Sequence, residues 1–292
     1  MALCAHCGRP LAARLPRCVY CGAEAPANAG EAAAPPPAGA EATPRLLVVL
    51  RIGDADPGAL SRALGLAAAD AAHRQRRGGW QLLRIAEPDA AREQAARLAE
   101  AGLVAMLIPE ADVRASARPV MALGGEWTGH ELTLRTPEAP ARVTAGDLRL
   151  AVQGPIAREY QTSQDVKRSR TATLEAGYRF HLHRKGEPRP LELDPGAFDF
   201  GAGGAGSSSL LQLTGWMQEL TRGVVVDDGF RRLPPELGVA EAATAGPLAA
   251  ADALGARAAG RAEGALVLDN LRQFRFYSAW RAAVERGAPP RG

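Results

Sequence analysis

The sequence has no cysteine after residue 21 and only two lysines, Lys167 and Lys185. Arginine therefore supplies all but two of its 35 cationic side chains, which together with many Ala, Gly and Pro residues indicates a GC-rich bacterial genome. The net charge is only +3 over 292 residues. A protein that coats nucleic acid usually has a concentrated basic excess, so this charge argues against that class.

Long apolar runs and enzyme signatures are also absent. No stretch approaches the roughly 18–20 apolar residues that a membrane-spanning helix needs, and the first residues lack the basic and apolar regions of an export signal. No G-x-S-x-G, P-loop or His-x-x-x-His pattern occurs, which removes the positive case for an enzyme. We therefore expect a cytoplasmic protein without a membrane span, in a compartment where thiols stay reduced.

Four cysteines lie within the first 21 residues, in two Cys-x-x-Cys pairs that are each followed by glycine. The predicted metal ligands are Cys4, Cys7, Cys18 and Cys21. Each pair places two thiolates on one tight turn, and two such turns complete the tetrahedron that Zn²⁺ prefers. The glycines Gly8 and Gly22 tolerate the positive φ that each turn requires. Four thiolates leave no open coordination position, so we expect a structural Zn²⁺.

Other interpretations of these cysteines fit less well. A redox dithiol needs only one pair, a rubredoxin-like iron site normally has a longer gap and an aromatic core, and free thiols would not need this spacing. The spacing and the two Cys-Gly steps over residues 4–22 resemble the short four-cysteine zinc-ribbon family of bacterial proteins. The resemblance implies a zinc ribbon in residues 1–22, which the metal folds. We expect this ribbon to bind a protein partner, with nucleic acid as the alternative that the net charge does not support.

After the cysteines the pattern predicts a linker and then a small α/β domain. Residues 23–44 are rich in Pro and Ala and contain no large apolar residue, which predicts a disordered linker. Residues 45–115 alternate apolar strand segments with amphipathic helical segments in the order β-α-α-β-α-β, which predicts a small α/β sandwich. Predicted strands begin at Leu46, Trp80 and Leu103, and the last helix ends at Gly102.

Two segments of this domain carry a resemblance to a known family. The run Ala63-Leu64-Gly65-Leu66 at the helix junction and Ala99-Glu-Ala-Gly102 before the last strand resemble the C-terminal domain of the bacterial ribosomal stalk protein, over residues 46–109. The resemblance implies the same fold. It does not imply binding of translation factors, because the lysine-rich face of that family is replaced here by Ala67, Ala68, Ala69 and His73.

Residues 116–233 show short alternating segments between Gly, Pro and Asp breaks, which predicts an antiparallel β-rich domain. A long polar loop is expected over residues 161–177. The stripe of Leu210, Leu213, Met217 and Leu220 predicts a helix that packs on the strands. Several strands followed by one helix resemble pleckstrin-homology-like domains, which implies a barrel with the helix at one end.

Residues 201–206 spell G-x-G-x-x-G, and Asp227 follows about 21 residues later, where a dinucleotide fold places its ribose-binding carboxylate. The candidate cofactor-binding residues are Gly201, Gly203, Gly206 and Asp227. The preceding segment, however, is broken by Pro195 and Gly196 and carries Asp199, whereas a central parallel strand is a continuous apolar run. A flexible Ala/Gly/Ser loop also explains the glycines.

Alternation places Arg179, His181 and His183 on one face of a predicted strand. The ordinary interpretation is a half-buried strand with its basic face in water. The alternative is contact with phosphate or RNA, together with the basic residues of segment 167–170.

Residues 234–292 predict an Ala/Gly-rich connection followed by a C-terminal amphipathic helix over Gly264–Arg286. Its apolar face carries Phe274 and Trp280, with Arg275 on the opposite side. Such a helix can bind a membrane surface or a partner, but we expect it to dock on its own domain.

These patterns together predict an α+β multidomain protein. They favour a non-enzymatic adaptor or regulatory protein that binds protein or nucleic acid. The alternative hypothesis is a nucleotide- or dinucleotide-binding enzyme that uses the loop of residues 201–206.

Overall fold

The computed structural model describes residues 44–53, 56–116, 118–164, 168–201, 209–232, 241–244 and 266–287. For residues 157–164, 168–176, 231–232, 241–244 and 266–269 the backbone alone is described. All of these residues belong to one unit of the chain, residues 44–292. The predicted zinc ribbon and the predicted linker up to residue 43 lie outside the described residues. The fold is mixed α/β, with several sheets and a C-terminal helix.

The first part of the fold is a three-stranded sheet with helices on one face. Its elements are β1 (Leu46–Ile52), α1 (Pro57–Leu64), α2 (Ala68–Arg77), β2 (Gly79–Ala86), α3 (Pro88–Glu100) and β3 (Val104–Pro109). The sheet order is β2-β1-β3, and both pairs are antiparallel. The element order is the one that the sequence predicts. A short helix, α4 (Glu110–Ser116), follows β3 and is not predicted by the sequence pattern.

Local signals set the ends of these helices. The Asp56 carboxylate accepts a hydrogen bond of 2.9 Å from the Ala59 amide and so caps the start of α1. The α3 helix stops at Glu100 because Gly102 adopts a left-handed backbone with φ of 73°, which glycine tolerates best. Both signals are short-range, which is why the sequence predicts this part of the fold well.

The second part of the described chain is built around one long hairpin. Its elements are β4 (Val120–Ala122), β5 (Gly124–Trp127), β6 (Glu131–Arg135), β7 (Ala141–Thr144), β8 (Leu148–Gln164), β9 (Arg168–Arg184), β10 (Leu191–Leu193), α5 (Ser209–Leu220), β11 (Val225–Asp227), β12 (Glu241–Thr244), β13 (Leu266–Asp269) and α6 (Leu271–Gly287). Strands β5, β6 and β7 form a small antiparallel sheet. The large sheet has the order β12-β13-β8-β9-β10-β4, and β11 pairs with β8. It is a mixed sheet, because β10–β4 and β11–β8 are parallel pairs.

Two sequence predictions are wrong in this region. Residues 161–177, expected to be a polar loop, are largely strand, because the backbone groups of β8 and β9 pair from Leu148 to Gln164. The C-terminal helix begins at Leu271 and not at Gly264, because residues 266–269 form strand β13 and pair with β8. In both places, pairing with a distant strand decides the structure, and local periodicity does not report it.

The C-terminal helix α6 lies between the β2-β1-β3 sheet and the large sheet. Alternation along β1 directs Leu47 and Val49 into the core that contains α6, whereas Val48 and Leu50 pack with α1, α2 and α3. On its other side α6 contacts Val152 and its neighbours on β8. The helix is consequently buried around most of its circumference, and the prediction that it docks on its own fold is confirmed. Within the described ranges, no helix combines the length and apolar character needed to cross a bilayer.

Candidate functional site

One row of side chains runs across the large sheet beneath α6. Backbone pairing places one residue from each of five neighbouring strands side by side, in the order Met121, Glu192, His181, Val152 and Asp227. The helix crosses this row and contributes polar side chains of its own. We call the polar residues that meet here the α6 polar cluster: Glu192, His181, His183 and Asp227 from the sheet, and Arg275, Tyr277, Ser278 and Arg281 from the helix.

At one end of the row, Glu192 is fully buried and paired with Arg275. The guanidinium of Arg275 donates two hydrogen bonds of 2.7 Å, one to each carboxylate oxygen. His181 Nε2 lies 2.8 Å from Oε2, and Arg179 Nε lies 3.7 Å from Oε1. Burial by itself would raise the pKa of Glu192, but the hydrogen bonds from Arg275 and His181 outweigh it and lower the pKa to about 2. Glu192 is therefore a carboxylate at neutral pH.

In the middle of the cluster, Ser278 joins two buried imidazoles through a single hydroxyl. Its Oγ lies 2.8 Å from His181 Nδ1 and 2.7 Å from His183 Nε2. Burial lowers the pKa of His181 despite the neighbouring Glu192. Burial also lowers the pKa of His183, and the nearby His181 and Arg286 lower it further. Both rings are therefore neutral at pH 7.

At the other end of the row, Asp227 accepts hydrogen bonds from three donors. The Tyr277 hydroxyl and the Gly229 amide donate to Oδ1 at 2.6 and 2.8 Å, and Arg281 Nε donates to Oδ2 at 2.5 Å. Burial and the negative charge of Asp227 both raise the pKa of Tyr277, so the phenol stays protonated and donates. Burial opposes the charge of Arg281, but Asp227 outweighs it and raises the pKa of the guanidinium.

Ser278, His181 and Glu192 have the connectivity of a hydrolytic triad, with a hydroxyl, an imidazole and a carboxylate in series. A serine nucleophile, however, must reach a substrate carbonyl. Ser278 is 0% exposed within the α6 helix, and its hydroxyl is shared between two imidazoles. The geometry suits a structural role, because Arg275, Ser278 and Arg281, spaced three residues apart on α6, each bind a polar group of the sheet.

The residues predicted for cofactor binding are only partly within the described chain. Gly201 is exposed, and its amide donates to Asp199 at 2.8 Å. Gly203 and Gly206 lie outside the described residues, whereas Asp227 belongs to the α6 polar cluster.

The predicted metal ligands Cys4, Cys7, Cys18 and Cys21 also lie outside the described residues. In the part of the chain that the structure does describe, no group of three or more His, Cys, Asp or Glu side chains is placed to hold a metal ion.

The prediction of a wet basic face on β9 is wrong. Alternation does place His181 and His183 on one face, but α6 covers that face, and the two side chains are only 0% and 4% exposed. The opposite face of the same strand carries Phe180 and Leu182 in a second apolar core. The prediction that Arg275 lies on the side of α6 opposite the docked face is also wrong. Arg275 faces the sheet, where it forms an ion pair with Glu192.

A second feature is a cavity of about 230 Å³ on the opposite face of the large sheet. It lies between α5 and strands β8, β9 and β11. Its lining includes the apolar Phe180, Met217 and Val226 and the neutral polar Gln153 and Gln218. The cavity therefore offers a neutral lining, in contrast to the charged cluster beneath α6.

One signal in the sequence points to the α6 polar cluster. Arg275 and Ser278 lie three residues apart among the aromatic residues Phe274, Tyr277 and Trp280, so they occupy neighbouring positions on the helix surface. This spacing does not say which sheet the helix meets, and so the partners on β9 and β10 cannot be read from it.

Comparison with known proteins assigns no function to this cluster. The chain matches no protein-family model, and neither a curated protein nor a solved structure shows significant similarity to it. The α6 polar cluster is therefore interpreted from its own geometry.

Proposed function

We propose that the protein is a cytoplasmic, non-enzymatic adaptor or regulatory protein whose N-terminal zinc ribbon binds a partner. In this proposal Cys4, Cys7, Cys18 and Cys21 hold one structural Zn²⁺. A protein is the favoured partner, because a net charge of +3 provides little electrostatic attraction for nucleic acid.

The cysteine pattern supports the ribbon. Two Cys-x-x-Cys pairs, each followed by glycine, have the spacing of a four-thiolate zinc site. A segment of about 20 residues has too few apolar side chains to fold without a bound metal ion. Because the site is closed, its contribution is a folded surface for docking and not a reactive metal.

The observation that carries the non-enzymatic part of the proposal is that the reactive groups of the α6 polar cluster bind one another. Glu192 is held by Arg275, Asp227 by Arg281, and the Ser278 hydroxyl by two imidazoles. Buried charge pairs of this kind are best known for selecting one arrangement of packed elements. We infer that the cluster fixes the position of α6 between the two sheets.

The finer fold assignments belong to the same proposal. The antiparallel sheet order β2-β1-β3 with helices on one face supports a stalk-protein-like fold for residues 46–109. The packing of α5 and the β5–β7 sheet against β8 and β9 supports a pleckstrin-homology-like arrangement within residues 116–233.

Metal analysis of the purified full-length chain tests the ribbon. We expect about one zinc per chain, because four thiolates bind Zn²⁺ tightly. Cys18→Ser should lose the metal, whereas His6→Asn, which changes a residue between two ligands, should retain it. A zinc content below about half per chain that Cys18→Ser does not change would contradict the ribbon.

A capture experiment tests the adaptor role. The full chain, a chain without residues 1–22 and Cys18→Ser are used as baits, and the bound proteins and nucleic acids are identified. We expect a protein partner that is retained by the full chain and lost by both variants. The same set of bound molecules for all three baits would refute partner binding by the ribbon.

The alternative is a nucleotide- or dinucleotide-binding enzyme, which the G-x-G-x-x-G spacing and Asp227 favour. A thermal-shift screen against NAD(P) and ATP discriminates between the two functions. Stabilisation by a nucleotide that disappears in Gly203→Val would establish the alternative and overturn the adaptor. The adaptor predicts no shift with either chain.

A further inference from the structure

The donor and the acceptor can be assigned for each hydrogen bond in the series Glu192, His181, Ser278 and His183. Because Glu192 is a carboxylate, it accepts a hydrogen bond from His181, and we assign the Nε2–H tautomer to that ring. His181 Nδ1 then accepts from the Ser278 hydroxyl. The Ser278 oxygen in turn accepts from His183 Nε2–H. One hydroxyl thus donates to one ring and accepts from the other.

This chain of hydrogen bonds tolerates one additional proton but not two. With both rings protonated, two N–H groups point at the Ser278 oxygen, and its own hydroxyl proton loses its acceptor. The two ring centroids are 6.1 Å apart in a buried site, so the two positive charges also repel each other.

Burial opposes protonation of both rings, and the surrounding charges act in both directions. Of the charged groups that act on the two rings, Glu192 on β10 is negative, whereas Arg179 on β9 and Arg275 and Arg286 on α6 are positive. Toward β8 the row continues with the apolar Val152. Burial keeps both rings neutral, because the two arginines offset part of the effect of Glu192 on His181, and Arg286 adds to burial at His183.

The contact between Glu192 and Arg275 does not change in the same range of pH. The pKa of Glu192 is about 2, so its pairing with Arg275 persists while histidines titrate. Between pH 7 and pH 5, the acid sensitivity of the contacts between α6 and β9 therefore comes from His181 and His183.

The arrangement of the hydrophobic cores allows α6 to detach from the large sheet while the rest of the fold stays intact. Phe274, Tyr277 and Trp280 belong to the core between the two sheets. The core beneath α5 contains Leu132 and Leu134 of β6 and no residue of α6. Separate cores can open as separate cooperative units.

We propose that His181, Ser278 and His183 form an acid-sensitive clasp that holds α6 on the large sheet at neutral pH and releases it on acidification. Free histidine has a pKa near 6.5, and in the folded state both rings have a lowered pKa. The clasp therefore stabilises α6 fully above about pH 6.5, and this stabilisation is lost as the pH falls toward the folded pKa values.

Hydrogen exchange measured peptide by peptide and corrected for the intrinsic pH dependence of exchange tests the clasp. Each proton that opening takes up should raise the opening constant of α6 about 8-fold between pH 6 and pH 5, so two protons would raise it about 60-fold. The amides of β6 should respond less, because their core does not contain the clasp.

Two variants give the control. His183→Gln keeps an amide N–H that can donate to Ser278 but cannot titrate, so the rise should be about 8-fold smaller than in the natural chain. His73→Gln removes an exposed histidine on α2 and should behave as the natural chain.

Three results would overturn the proposal. The first is an opening constant of α6 that rises no more in the natural chain than in His183→Gln. The second is an equal change in the exchange of the α6 and β6 amides. The third is a rise in His73→Gln that differs from that of the natural chain. If His183→Gln does not fold, NMR of the histidine rings in the natural chain decides. Rings that stay neutral down to pH 5.5 in the folded state support the clasp, and a His183 ring that titrates near pH 6.5 refutes it.

Discussion

Replacing Glu192 by Gln tests the central contact of the α6 polar cluster. The substitution keeps the size of the side chain but removes the charge that accepts two hydrogen bonds from Arg275 and one from His181. The neutral amide also presents N–H donors to the donor groups of Arg275. Because Glu192 is fully buried, water cannot replace the lost acceptor.

The magnitude follows from the pKa of Glu192. Its decrease from an ordinary 4.5 to about 2 corresponds to about 3 kcal/mol of stability at pH 7, at about 1.4 kcal/mol for each factor of ten. Breaking a buried ion pair typically costs about 3–5 kcal/mol, which agrees. Since the folded pKa is the lower one, this contribution is complete above about pH 4.5 and decreases as the pH falls toward 2. At pH 3 less than half of it should remain.

Urea unfolding followed by circular dichroism at pH 7 and pH 3 measures the effect. Glu126→Gln is the matched control, because Glu126 is exposed on β5, and it should change the unfolding free energy by less than about 0.5 kcal/mol. The reasoning is refuted if Glu192→Gln loses less than about 1 kcal/mol at pH 7, or if its loss is the same at pH 3 as at pH 7.

Two further substitutions probe the packing and capping described above. Phe274→Ala removes a fully buried ring that contacts His181 and Phe230, so it should lower the unfolding free energy by about 3–5 kcal/mol in urea titrations; a loss below about 1 kcal/mol would contradict the burial of α6. Asp56→Ala removes the cap of α1 and should lower it by about 1 kcal/mol, with Asp56→Asn nearly neutral as the control; equal losses in the two variants would argue against capping.

The sequence predicts the first sheet and its helices well because their signals are local. The cap at Asp56, the stop at Gly102 and the alternation along β1 each depend on residues close together in the chain. The β8–β9 hairpin is predicted poorly, since residues 161–164 and 168–177 are polar and become strand through pairing of their backbones. These residues have no periodic pattern of apolar side chains from which the pairing could be predicted.

The sequence by itself determines which side chains share a face. Alternation places His181 and His183 together on β9, and helical spacing brings Arg275 and Ser278 together on α6. Only the tertiary structure decides that these two faces meet, and that a strand expected to have one wet side is buried on both. The reason is physical: periodicity is a property of one segment, whereas burial depends on what packs against it. Met121, Glu192, His181, Val152 and Asp227 become neighbours only when their five strands pair.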